Sequence, residues 1–196
     1  MEADSLASLP YPATRATLES QLREMYGRVA YAHKTHEKMA DAYVGRYKLI
    51  KTLEIALSAL ATGSLLIALT GDSRVYTTLG AALSTTLLGF ALYFKEASLG
   101  EQAQKHTVVA SKLWGVREAI LSLLVDMTDS CDLDRVRLNR DEINQALEGI
   151  YKSAPRTNEW AYAAAQRALK VNEELYFSDA ELNRLLPRQL RRENRK

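Results

Sequence analysis

Three histidines have the widest chemical reach in this chain. His33 and His36 stand three apart with Glu37 beside them, a spacing that puts two imidazoles on one helical face, where they could hold a metal ion. His106 is the only other histidine, no HExxH pattern occurs, and no cysteine is close in sequence. The expectation is therefore ordinary arm residues, exposed or partly buried, and no metal. Asp126, Asp129, Asp132 and Asp134 form a carboxylate cluster, but the glycine and terminal glutamate of a calcium loop are missing. They read as a solvated turn with helix caps. Cys131 is the single cysteine, which excludes an internal disulfide, and no histidine near it in sequence could activate a thiolate. The scattered glycines build neither a phosphate-cradling loop nor a dinucleotide fingerprint, and no Gly-x-Ser-x-Gly elbow occurs. The chain is thus expected to be no enzyme and to carry no cofactor. A net charge of +2 offers no footprint for nucleic acid.

The remaining candidates lie in two stretches without Asp, Glu, Lys or Arg, Ile55 to Gly71 and Val75 to Phe94. As helices these measure about 25 Å and about 30 Å, against a hydrocarbon core of roughly 30 Å. Leu49, Ile50 and Leu53 can lengthen the first, with Lys48 and Lys51 snorkelling to headgroups. Tyr76, Tyr93 and Phe94 stand at the ends of the second, where a ring with one wet edge is favoured. The spans are expected at about 53–71 and 75–94. Ser58, Thr62, Thr78, Ser84 and Thr85 are candidates for lining a water-filled path in an oligomer or for packing helices. Ala59 and Gly63, and Ala81 with Gly89, are spaced to let backbones approach in lipid. Glu54 sits at the start of the first span. It either faces a pore mouth, pairs with Lys51 or Lys95, or snorkels.

Only Asp72, Ser73 and Arg74 join the two stretches, so the spans must be antiparallel neighbours. Lys34, Lys38, Arg46, Lys48 and Lys51 precede the pair, and Lys95, Lys105 and Lys112 follow it. The positive-inside rule then puts both arms and both termini in the cytoplasm, with the hairpin in the inner membrane. The acidic N-terminus shows no secretory signal pattern. A buried pair of core helices in a soluble bundle is the competing reading of the same stretches.

The arms must position this hairpin. Leu18, Leu22, Met25, Val29, Ala32, His36, Met39, Tyr43, Arg46, Ile50, Leu53, Leu57 and Leu60 recur at steps of four and three, a heptad seam with His36 and Arg46 as polar departures. Val109, Leu113, Val116, Ile120, Leu123 and Met127 repeat the pattern. The prediction is one helix from about Ala13 to about Thr70, with Pro12 near its first turn, and a second from Val75 to about Thr128. One or two short helices should follow, ending near Lys152 ahead of Pro155. Thr157 or Asn158 can cap a helix to about Glu174 built on Trp160, Ala164, Ala168 and Val171. Ser178 and Glu181 form a capping box for a last helix ended by Pro187. The Pro155 bend could fold onto the arms and enclose a pocket. The fold class is all-α: residues 1–12 a flexible N-terminus, 13–187 one domain (helices 13–52, 95–130 and 135–187 outside the spans), 188–196 a basic tail.

Two spans on a minimal link, long helical arms, the segments REAILSLLVD and RDEINQALEGIYKSAPRTNEWAYAAAQRAL, and a Ser-x-x-Glu helix reaching a proline together resemble the SLATT domain family. The resemblance covers about Leu18 to Pro187, with Arg117, Tyr151, Pro155 and Tyr162 as its sequence signals. These are two-transmembrane domains associated with nucleotide second-messenger synthases and nucleotide sensors in prokaryotic conflict systems. The resemblance implies a homo-oligomeric effector that forms a signal-gated pore in the lipid bilayer during antiviral defence. It brings no catalytic residues. It leaves open whether a nucleotide second messenger acts directly or a neighbouring sensor or synthase protein gates the chain. A membrane anchor that recruits a cytoplasmic partner is the alternative from another class.

Overall fold

The computed structural model describes residues 15–71, 74–129 and 132–191. The expectations for the N-terminus before Arg15, the Asp72–Ser73 link and the last residues of the basic tail lie outside them, as does Cys131. All regular structure among the described residues is helical: α1 Arg15–Thr70, α2 Arg74–Glu96, α3 Leu99–Asp129, α4 Leu133–Ser153, α5 Glu159–Lys170 and α6 Asp179–Leu185, followed by a short 3-10 turn.

The backbone of the architecture is α1, 56 residues without a break, roughly 84 Å at the standard rise. Its far half pairs with α2 as a hairpin, and its near half pairs with α3. Together with α4 and α5 this near half makes a helical head. The seam predicted from the sequence is the core of that head: Leu18, Leu22, Met25 and Val29 of α1 meet Val109, Leu113, Ile120, Leu123 and Met127 of α3. Val136, Leu147 and Ile150 of α4 close the cluster from the α3 side. Leu22, Leu113 and Ile120 are completely shielded from solvent. Each such side chain contributes about 1.5–3 kcal/mol of transfer free energy.

The helix ends follow local chemistry. Asp132 caps α4 by accepting from Asp134 N and Arg135 N, which gives one member of the carboxylate cluster a plain structural duty. One helix, not two, fills the stretch up to Ser153. Asn158 caps α5 through Ala161 N, and Ser178 with Glu181 forms the full capping box at α6.

Two expectations need correction. The predicted continuous helix from Val75 to about Thr128 is interrupted at Ala97–Ser98, where Ser98 takes φ 38° and the chain restarts as α3. Ser98 takes a left-handed φ, and α3 resumes at Leu99 against the head portion of α1. Also, α5 ends at Lys170 and buries Ala161, Ala165 and Ala168, whereas Trp160 and Val171 are exposed. Alanines win the inward face because α5 packs on α1, and small side chains allow a close approach.

Candidate functional site

Below Ala40 the seam opens. Arg46 and Leu53 are exposed, and α1 and α2 continue as a pair with little around them. The most apolar windows of the two long helices are only 11% and 6% buried. Ile55, Leu60, Leu66, Leu69, Val75, Leu88 and Leu92 are each more than half exposed. A core helix of a soluble bundle would hide such residues. The hairpin is instead an apolar ribbon without a protein cover.

Four threonine hydroxyls of the lining and packing faces bond within their own helix. Thr62 donates to Ser58 O at 2.9 Å, Thr78 to Arg74 O at 2.9 Å, Thr85 to Ala81 O at 3.0 Å, and Thr86 to Ala82 O at 2.9 Å. Lipid offers no partner for a donor, so this back-bonding is what a membrane requires. It leaves lone pairs on each oxygen to face water or another helix. Thr62, Thr78, Ser84 and Thr85 are exposed, and Ser58 is half-buried.

The two helices approach closely at Gly80. A Cβ there would lie 2.8 Å from Leu65 Cγ and 2.9 Å from Ser64 Oγ. Ala61 and Ser64 are buried against this contact. Within the protomer, a Cβ at Gly63 or Gly89 would meet nothing within 4 Å, and Ala59 and Ala81 are exposed. Those four therefore remain available to a second copy. Gly80 itself carries no sequence signal apart from being a glycine in a span.

Glu54 marks the neck between hairpin and head. Its carboxylate accepts from Lys51 Nζ at 2.8 Å and is largely shielded. A cleft of about 380 Å³ there is lined by Glu54, Ile50, Phe94, Lys95 and Ser98 among others.

Above the neck, the head has a polar layer that the sequence reading placed only partly. His33, His36 and His106 are all buried. His33 Nδ1 donates to Ala110 O at 2.9 Å, and His36 Nδ1 meets His106 Nδ1 at 2.8 Å. The second contact requires one neutral imidazole to donate and the other to accept. Tyr43 stacks on His106 at 5.6 Å. Burial, and then the neighbouring His106 and His33, push His36 down to about 4, and burial also lowers His106. No group of three or more metal-binding side chains is present among the described residues.

Two further residues organise this head. Arg117, 7% exposed, lies over the rings of Trp114 at 4.7 Å and Tyr26 at 5.2 Å, and donates to Tyr26 Oη at 2.8 Å and to Glu118. Glu174, just after a turn in which Glu173 takes φ 52°, accepts from Lys34 at 2.8 Å and Lys38 at 3.2 Å. The Lys34 hydrogen bond dominates in drawing the Glu174 carboxyl down to about 2. Burial alone would lower Lys34, but its bonds to Glu174 and Glu37 raise it above the usual range. The latch ties the end of α5 to α1.

An uncovered two-helix apolar ribbon, antiparallel, with both arms folded into one head, defines a two-span membrane protein with an appended helical domain. A family model described as SMODS and SLOG-associating 2TM effector domain family 4 matches residues 18–181. The chain belongs to this family, and is a membrane effector of the kind found in conflict systems. It is an effector domain family and not a known enzyme family. No curated protein and no solved structure matches the chain.

Proposed function

We propose that copies of this chain associate in the inner membrane and permeabilise it when a signal reaches the cytoplasmic head, halting or killing an infected cell. The observation that carries this reading is the hairpin itself. Its apolar flanks are uncovered, while the small and hydroxyl faces bearing Ala59, Gly63, Ala81 and Gly89, and Thr62, Ser84 and Thr85, are left unpaired within one protomer. Association through the small residues would let hydroxyls from several copies converge on a common path. Glu54, held by Lys51 at the neck, would then stand at its cytoplasmic mouth.

Expression of the protein should collapse the membrane potential of the host cell. Replacing both Thr62 and Thr85 with Leu should abolish the collapse and leave membrane insertion intact, because the leucines fill the path without adding charge. Full activity in that double variant would remove these residues from the lining. An unperturbed potential with the parent protein under activating conditions would favour an anchor that only recruits a partner.

A further inference from the structure

The head carries a cavity of about 1000 Å³, wide open to solvent on one side, between α1, the end of α4, the Ala154–Asn158 connector and the start of α5. We infer that this cavity binds a soluble nucleotide, a ligand that unites a planar base with phosphate.

The lining has the parts for both halves. Tyr31, Tyr151 and Tyr162 converge on it from three elements. Tyr31 and Tyr162 already stack with centroids 5.8 Å apart and rings 27° from parallel. Tyr162 stays 54% exposed and Tyr151 47%, so ring area remains for a base. Stacking on such rings contributes about 1–3 kcal/mol per base. Arg28, on α1, and Arg156, on the connector, supply the charge for phosphate. Arg156 forms no ion pair with a described carboxylate. Arg28 is held by Glu24 at 2.9 Å, one turn earlier on the same helix. Glu24 also lines the cavity, as do Thr35 and Thr157. The carboxylate disfavours a bare polyphosphate but can accept from ribose hydroxyls or exocyclic amino groups, and the two hydroxyls can donate to phosphate or to ribose. The volume stands at the upper end of ordinary small-molecule sites, far more than one phosphate needs.

Geometry also separates a free nucleotide from a lipid headgroup. The cavity residues on α1 run from Glu24 to His36, whereas the first span begins near Leu53. At the helical rise, even His36 is roughly 25 Å from the span. No headgroup reaches that far from the bilayer.

The site is wired to the rest of the molecule. His36 lines the cavity and bonds His106 of α3, so an occupant touches the seam that joins the two arms. That nucleotide occupancy changes permeability rests on the effector reading above; the binding itself does not.

The test is calorimetric titration of the full chain in detergent or nanodiscs. The probes are the four ribonucleoside triphosphates, cyclic di-adenylate and cyclic di-guanylate, with adenosine and tripolyphosphate as halves of the ligand. At least one nucleotide should bind with Kd below about 1 mM and at least about tenfold tighter than either half. Arg156→Ala and Tyr162→Leu should each weaken it about tenfold or more, and Tyr162→Phe, which keeps the ring, should not. Circular dichroism of each variant checks that the head remains folded. Failure of every nucleotide to bind overturns the inference. So does tripolyphosphate binding as tightly as the nucleotides, which would mean a generic anion surface, or affinity indifferent to both variants, which would put the site elsewhere. None of these readings involves leakage, so the site and the pore stand or fall separately.

Discussion

His36 and His106 stand where the seam between the arms would otherwise carry an apolar pair, and their Nδ1–Nδ1 contact needs one ring to donate and the other to accept. A first added proton leaves a donor and an acceptor in contact but puts a charge into a buried layer, and a second sets donor against donor. The folded state holds His36 down at about 4, against an ordinary 6.5, chiefly through burial. A group lowered in this way stabilises the fold fully above pH 6.5 and loses that contribution as pH falls toward 4. Between pH 7 and 5 the head should lose about 2 kcal/mol of stability from this residue. Thermal unfolding in detergent should show the drop for the parent and a much smaller one for His36→Gln. Glu174, drawn down to about 2, adds to the loss only below about 4.5, as its grip on Lys34 fails. The histidines were visible in the sequence, but their partnership was not. The second seam was traced from Val109, and one step earlier the same period reaches His106, which polarity alone disguised. Arg117 stood out only as a family signal, because its burial between Tyr26 and Trp114 depends on side chains that no local pattern links.

Among the elements, the hairpin and the seam were legible because both are one-dimensional signals: a run without charge, and a repeat of four and three. The break at Ala97–Ser98 was not. Gly100 stands two residues on, but neither Ala97 nor Ser98 is a helix breaker by type, and α2 and α3 both pack on α1. The α5 face was misread for a related reason. Trp160 and Val171 are the most apolar candidates, but the small alanines fit the close contact with α1. The hairpin contact was likewise invisible, since a stripe of small residues does not say which member is used. Gly80 is where Leu65 and Ser64 press in. Gly80→Val should force these side chains apart, cost about 1–3 kcal/mol of hairpin stability and lower the unfolding temperature in detergent, while insertion persists. Gly89→Val, with open space around it in the protomer, should leave that temperature unchanged.

On the scale of the whole molecule, α1 links everything. It carries one wall of the cavity, the latch lysines, His36, the neck and the first span on one uninterrupted helix, whereas the second arm is interrupted at Ala97–Ser98. On the proposed function, a rearrangement in the head would reach the membrane along α1, as a tilt or rotation of a stiff rod. Two glycines inserted after Arg46 should uncouple the halves. The variant should insert normally and fail to depolarise cells, and full activity would show that α1 transmits nothing. Fold class and family were legible across nearly the full chain, because a membrane hairpin constrains composition strongly. The cavity was foreshadowed only by the bend at Pro155; its three tyrosines and two arginines are gathered from distant parts of the sequence by tertiary packing.

Permeabilisation by this chain without a partner can be read in a reconstituted bilayer. The purified protein is incorporated into liposomes of bacterial lipid loaded with a self-quenched fluorophore, and release is followed as protein density rises, with and without nucleotide. The account predicts release that climbs more steeply than linearly with density, as association requires, and that is lost in the Thr62→Leu, Thr85→Leu double variant. Intact liposomes at every density and with every nucleotide, with the protein firmly inserted, would contradict it and leave an anchor in place of a pore.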